Sequence, residues 1–231
     1  MLHMVTAADG AEKFYTQANN EARYEDRQQA VELDKRLINA WVGHPHFSII
    51  QNSQKTFQDK IDQCLSTVLN FIGLPSPSAV VKKFLLIVDK SYHDFKTPKQ
   101  IKKEFFQVDE TFLQVFNEDG SEGTNIVRKI GKNDSFIYSN EIKYVLNQEK
   151  IVKKRQITAR EYIELLEMKD PEKKQLRKIR QCFIFESQYF MVESFSNVDG
   201  SPSLLRIETT DERKKITIPP FLRVLREVTN D

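Results

Sequence analysis

The sequence predicts an α+β protein in two unlike parts, a short α/β segment followed by an antiparallel β-barrel with one inserted helix. Three observations carry this reading. Helical periodicity dominates before the Pro/Ser cluster Leu74-Pro75-Ser76-Pro77-Ser78. Runs of β-branched and aromatic residues dominate after it. A single capping box, Thr158-Ala159-Arg160-Glu161, interrupts those runs. The expected units are residues 1–74, a linker at 75–79, and residues 80–231.

The first segment has α/β punctuation. Two short apolar runs, Leu2–Thr6 and Phe47–Ile50, each precede a helical pattern and read as buried parallel strands. A helix is expected from about Asn20 to Trp41, marked by Ala30, Leu33, Leu37 and Trp41. A longer one is marked by Phe57, Ile61, Cys64, Leu65, Val68, Leu69 and Ile72, at i, i+4, i+7, i+8, i+11, i+12 and i+15. Ser53 is its expected N-cap and Gly73 its expected C′ residue, and Pro75 forbids continuation.

The second segment is spaced like a meander. Expected strands are Val80–Val88, Phe105–Phe116, Thr124–Ile130, Ser135–Val145, Gln181–Glu186, Tyr189–Phe195 and Ser203–Thr209. The one helix follows Thr158 and places Tyr162, Leu165 and Leu166 on a common face. Six or more antiparallel strands with one helix suggest a barrel or a strongly curved sheet.

Composition narrows the function classes. The 231 residues carry 35 Lys+Arg against 33 Asp+Glu, so coating nucleic acid by net charge is excluded and no nucleic-acid partner is expected. Seven basic and nine acidic groups lie in residues 1–78, so the small basic excess belongs to the strand-rich part. Cys64 and Cys182 lie far apart without metal-ligand spacing, which excludes a zinc ribbon or disulfide framework. No apolar run reaches the roughly 18 residues of a membrane span. Met1–Gly10 does not read as a signal peptide, and a reducing, cytoplasmic setting is the expectation.

Several short motifs, in this order, carry a family resemblance. They are His3-Met4-Val5-Thr6-Ala7-Ala8-Asp9-Gly10-Ala11-Glu12-Lys13-Phe14-Tyr15, Ala40-Trp41-Val42-Gly43-His44-Pro45-His46, and Asn52 before the long helix. Further on come Arg180-Gln181-Cys182-Phe183, Gln188-Tyr189-Phe190, Pro219-Pro220-Phe221-Leu222 and Glu227-Val228-Thr229. With these the chain resembles the TRPL-translocation-defect proteins, which join a P-loop NTPase domain to a CYTH-like (triphosphate tunnel) domain. The resemblance implies part of a nucleotide-kinase-like α/β domain followed by a CYTH-like barrel.

The departures from the family pattern bear on activity. A P-loop requires G-x-x-x-x-G-K-[ST] to cradle phosphates, and none of the seven glycines sits in that motif. In the family this loop lies upstream of the segment matching Met1, so a triphosphate cradle is not expected in this polypeptide. CYTH enzymes open with E-x-E-x-K; aligned on Lys83, the acidic positions fall on Ala79 and Val81. The paired arginines of a later strand become Ile126 and Arg128. What the resemblance leaves as anion-binding candidates is Lys83, Arg128, Lys143, Lys178 and Arg180, with Glu193 and Glu208 as a thin set for a metal.

Other candidates are weighed against plainer readings. His44 and His46, flanking Pro45, read as structural imidazoles rather than metal ligands. Trp41 reads as core, and both cysteines as small buried hydrophobes. The runs Lys153-Lys154-Arg155 and Lys173-Lys174 before Arg177-Lys178 read as solvated charge around a helix, with a patch for anionic lipid or acidic protein as the other reading. The expected function is a catalytically inactive CYTH-like subunit that contacts other proteins of a larger assembly, cytoskeletal or axonemal, without a cofactor. The alternatives are a binding module for a phosphorylated small molecule or phosphoinositide, and a metal-dependent triphosphate hydrolase.

Overall fold

The computed structural model describes residues 1–18, 21–44, 46–52, 56–72, 80–87, 98, 101–115, 123–146, 149–186, 188–198, 202–209 and 216–229. The front of the chain is a two-stranded parallel sheet of β1 (Leu2–Met4) and β2 (Ser48–Ile50), joined through helix α1 (Arg27–Ala40) and followed by α2 (Phe57–Phe71). The parallel pairing agrees with expectation, with both strands shorter than their apolar runs. The α1 helix starts at Arg27 rather than near Asn20, because the Asp26 side chain accepts from the Gln29 N–H and Gln29 reaches back to the Asp26 N–H. In α2 the Thr56 hydroxyl accepts from the Asp59 N–H and Asp59 accepts from the Thr56 N–H. That places the cap at Thr56 instead of Ser53, which with Gly73 lies outside the described residues.

The rest of the chain forms one antiparallel sheet: β3 (Val80–Leu86), β4 (Lys103–Leu113), β5 (Gly123–Lys132), β6 (Ser135–Leu146), β7 (Glu149–Ile157), β8 (Leu176–Phe185), β9 (Gln188–Phe195), β10 (Ser203–Thr209) and β11 (Val224–Glu227). Its order is β11-β3-β10-β9-β8-β4-β5-β6-β7. Between β7 and β8 sits α3 (Ala159–Leu166), with both halves of the Thr158/Glu161 capping box formed. Two strands are additions to the sequence reading. The Lys153–Arg155 run belongs to β7 and not to a helix surface, and β11 follows the Pro219-Pro220 turn. Val88 and Phe116, placed in strands by the sequence, fall outside the described residues.

Among the described residues the sheet is curled but not closed by hydrogen bonds: β7 and β11 are its two ends. Laid flat, six interstrand steps would separate β10 from β7 by about 29 Å. Arg206 and Glu208 of β10 nevertheless line the same small cavity as Lys154 of β7. The expected barrel is therefore an open, strongly curved sheet with a concave and a convex face. On the convex face Leu86, Phe183, Phe190, Val192, Leu205 and Ile207 form the largest core cluster, and α3 covers a second through Tyr162 against Leu113, Val127 and Ile157.

The front of the chain seats on the concave face. Val42 packs on Cys182 and Met191, and Phe47 meets Tyr189 edge-on with centroids 5.4 Å apart. Gly43, at φ +92, donates its N–H to the Tyr189 hydroxyl over 3.1 Å. An added Cβ there would stand 1.9 Å from the Phe106 ring, so both the backbone and the approach require glycine. Trp41 is 37% exposed at the end of α1, which corrects its reading as core.

Candidate functional site

Strand alternation puts residues two apart on one face, and the antiparallel register aligns that face across neighbours. Arg180 lies opposite Phe106 and Glu193, Arg128 opposite Glu110 and Ser139, Glu141 opposite Ile126 and Lys154, and Lys83 opposite Arg206. The five expected cations, with Glu193 and Glu208, therefore share the concave face. Charge alternates from strand to strand across it: Arg206 on β10, Glu193 on β9, Lys178 and Arg180 on β8, Glu110 on β4, Arg128 on β5, Glu141 on β6 and Lys154 on β7.

From β10 to β6 this alternation is realised as ion pairs. Glu110 accepts from Arg128 Nε and from Lys178 Nζ, each over 2.7 Å. Arg128 also pairs with Glu141 at 3.0 Å, and Glu141 with Lys143 at 3.1 Å. Glu193 accepts from Arg180 Nε over 2.9 Å and lies 3.4 Å from Lys178 and 3.7 Å from Arg206. Burial opposes ionisation of Glu193, yet Arg180, Arg206 and Lys178 outweigh it and hold its carboxyl far below the ordinary range. Glu141 behaves alike: burial raises its pKa, but Arg128 and Lys143 bring it down to about 2.

Four of the five expected cations thus have carboxylate partners, while Lys83 has no ion pair among the described residues. Burial depresses its pKa, and Arg206 and Lys143 add to the effect. Lys154 is depressed by burial too, with Glu208 as its main favourable neighbour. Arg206 Nε is buried without a hydrogen-bond acceptor. The sequence reading missed Glu110, Glu141, Lys154 and Arg206. Glu141 and Arg206 were visible only as charges within strand runs, Glu110 stood beside Asp109 and Lys154 in a cationic run, and the register that brings them together is not local.

A divalent metal requires several oxygen ligands free to coordinate it. Val81 lies opposite Glu208, where an acidic residue is expected in the CYTH pattern, and Ala79 is outside the described residues. Glu110, Glu141 and Glu193 are each held by cations, and no metal-binding group of three or more ligand residues occurs among the described residues. The donor set does not fit the metal that the family resemblance implies.

The remaining space is small. Arg128, Lys154, Arg180, Arg206, Glu141 and Glu208 surround a cavity of about 30 Å³, roofed by Gly43, His44 and Phe47. That is room for one or two waters. The His46 Nδ1–Nε2 ring lies beside this roof, edge-on to Phe71 at 4.5 Å, with Nε2 buried and without a partner. Burial first, then Lys154 and His44, push its pKa down to about 4.

No protein-family model and no curated protein matches the sequence. Among solved structures, the chain is similar to the inorganic triphosphatase NE1496 at 17% identity, covering 67% of this chain and 88% of that one, with a TM-score of 0.42. It is similar to the PH1819 protein from Pyrococcus horikoshii OT3 at 14% identity, covering 59% and 80%, with a TM-score of 0.42. A conserved hypothetical protein from Pyrococcus furiosus gives 15% identity, 62% and 82% coverage and a TM-score of 0.36.

Proposed function

We propose that the chain is a CYTH-like protein that works by contact rather than catalysis, as a subunit docking onto another protein through α2. One observation carries this reading: α2 is turned inside out. Its shielded positions are Lys60, Gln63, Cys64, Ser66, Thr67 and Leu69, of which only Leu69 and Cys64 are apolar, and Lys60 Nζ donates to the Val5 carbonyl over 2.7 Å and to Asn52 Oδ1 over 2.6 Å. Most of its apolar stripe faces water, with Phe57 72%, Leu65 56%, Val68 45% and Ile72 56% exposed, while Cys64 and Leu69 are half-buried. Fully burying such a side chain contributes roughly 1.5–3 kcal/mol, so the stripe leaves several kcal/mol unrealised.

The test uses the full chain. Concentration-dependent association and binding of an apolar dye are expected, and Leu65→Glu/Val68→Glu should abolish both without lowering Tm. A monomer that binds no dye, and whose Tm drops in the double variant, would show the stripe to be covered from within and would defeat the reading.

A second reading rests on Lys83, Lys154 and Arg206, whose charge the carboxylates do not fully answer. It is a module binding a phosphorylated small molecule or phosphoinositide at the concave face. Hydrolysis of triphosphate ranks behind both, since the carboxylates it would use are committed to arginine and lysine.

A further inference from the structure

We propose that the open cleft beside α3 is a docking site for an acidic segment of another protein. It goes beyond the α2 reading and does not rest on it. The cleft, about 670 Å³, is bordered by Lys169, Lys173, Lys174 and Arg177, against Glu172 as the lining carboxylate. Lys173 is held by Asp170 at 3.2 Å, whereas Lys169, Lys174 and Arg177 make no ion pair among the described residues. Asp109 lies directly across the strand pair from Arg177 and is not ion-paired with it.

The walls are built rather than loose. Lys169 is bridged to Leu113 at the end of β4, and the neighbouring backbone is held by Gln114 N–H to Met168 O and Asp170 N–H to Phe112 O. Opposite, Asn197 Oδ1 accepts from the Arg177 N–H over 2.8 Å, while its Nδ2 donates to the Gln175 carbonyl over 2.7 Å. Rigid walls lower the ordering cost of binding.

The spacing selects the ligand. Lys169 is anchored opposite Leu113 and Arg177 opposite Asp109, four residues along β4, or about 14 Å at strand rise. Cations strung over that length suit a run of carboxylates on an extended chain, not one convergent phosphate. The recess also suits a chain better than a flat bilayer. Arg177 shares the strand face of Ile179 and Phe183, the convex side, so the cleft is separate from the charged concave face.

The experiment measures binding of a fluorescein-labelled oligoglutamate peptide to the full chain by anisotropy, at low and high salt. Saturable binding that weakens with salt is expected. Lys169→Glu/Lys174→Glu should weaken it about tenfold, while Lys35→Glu/Arg36→Glu, the same charge change on exposed α1 positions, should leave it within about twofold. Absence of saturable binding, or equal loss in both variants, overturns the proposal. So does full competition by inorganic phosphate, or binding to phosphatidylserine vesicles in place of the peptide.

Discussion

Lys178 Nζ lies 2.7 Å from Glu110 Oε2, although 68 positions separate them in the chain, and both side chains are buried. Their strands, β8 and β4, are direct neighbours in the sheet, with Val108 rather than Glu110 opposite Lys178. The pair is therefore diagonal, and it leaves Glu110's other oxygen for Arg128 on the far side. A buried ion pair is weak evidence of stability in itself, because desolvation offsets the attraction. Its consequence is that breaking one partner strands the rest.

Glu193 is the most sensitive member. It is 1% exposed and faces Arg180, Lys178 and Arg206. Glu193→Gln is expected to cost about 3–5 kcal/mol in urea unfolding, as uncompensated cations remain buried. Glu141→Gln should cost less, because Arg128 keeps Glu110. Equal, small losses in both would mean that water enters the concave face.

Gly43 joins the two parts of the chain. Gly43→Ala is expected to lower stability by more than about 2 kcal/mol, from the left-handed backbone together with the overlap on Phe106. Phe106→Leu in the same chain should recover part of the loss, the steric part. Unfolding followed by denaturant with and without the second substitution separates the two contributions.

Stability should fall with acid in two stages. The folded pKa of His46, about 4, lies below the ordinary 6.5, so the unfolded chain takes up its proton first. Its contribution is complete above about pH 6.5 and is lost as pH falls towards 4. Glu141, at about 2 against an ordinary 4.5, has the same sign over a lower window, being lost from pH 4.5 towards 2. Tm measured against pH should show both, and His46→Phe should shrink the upper stage, which His44, also lowered by burial, shares, while leaving the lower one. A profile unchanged by His46→Phe would place that imidazole in water.

Purified protein should not hydrolyse ATP, GTP or tripolyphosphate with magnesium or manganese, given Val81 on the concave face and three carboxylates bound to cations. Phosphate release is the measurement. Turnover above that of a Lys83→Ala/Arg128→Ala control would restore the enzyme reading.

Much of the secondary structure was legible because its causes are local. The Thr158-x-x-Glu161 box marks the start of α3, and both of its hydrogen bonds form. The strand expected at Gln181–Glu186 begins earlier, at Leu176, and that extension is what puts Lys178 and Arg180 on one face of β8; the sequence offered them only through the family resemblance. The β7 strand escaped because Glu149–Ile157 carries four cations in nine residues, and such a run reads as solvated surface unless a neighbouring strand is in view. Pairing with β6 and the proximity of Glu208 make it a strand with Lys154 turned inward.

By itself the sequence determined what short-range physics controls: helix caps, strand periodicity, and which charges share a parity. Those interactions span at most one turn or two residues. Tertiary structure decided three further matters. Register converted scattered charges into alternating ion pairs across six strands, from β10 to β6, because partners such as Glu110 and Lys178 meet only once β4 and β8 are aligned. Curvature brought β10 and β7 around one cavity. Packing of the front segment turned Lys60 inward, where it satisfies the Val5 carbonyl and Asn52, and left most of the apolar side of α2 outward. Amphipathicity specifies that a helix has two faces, but which face meets the protein depends on groups far away in sequence.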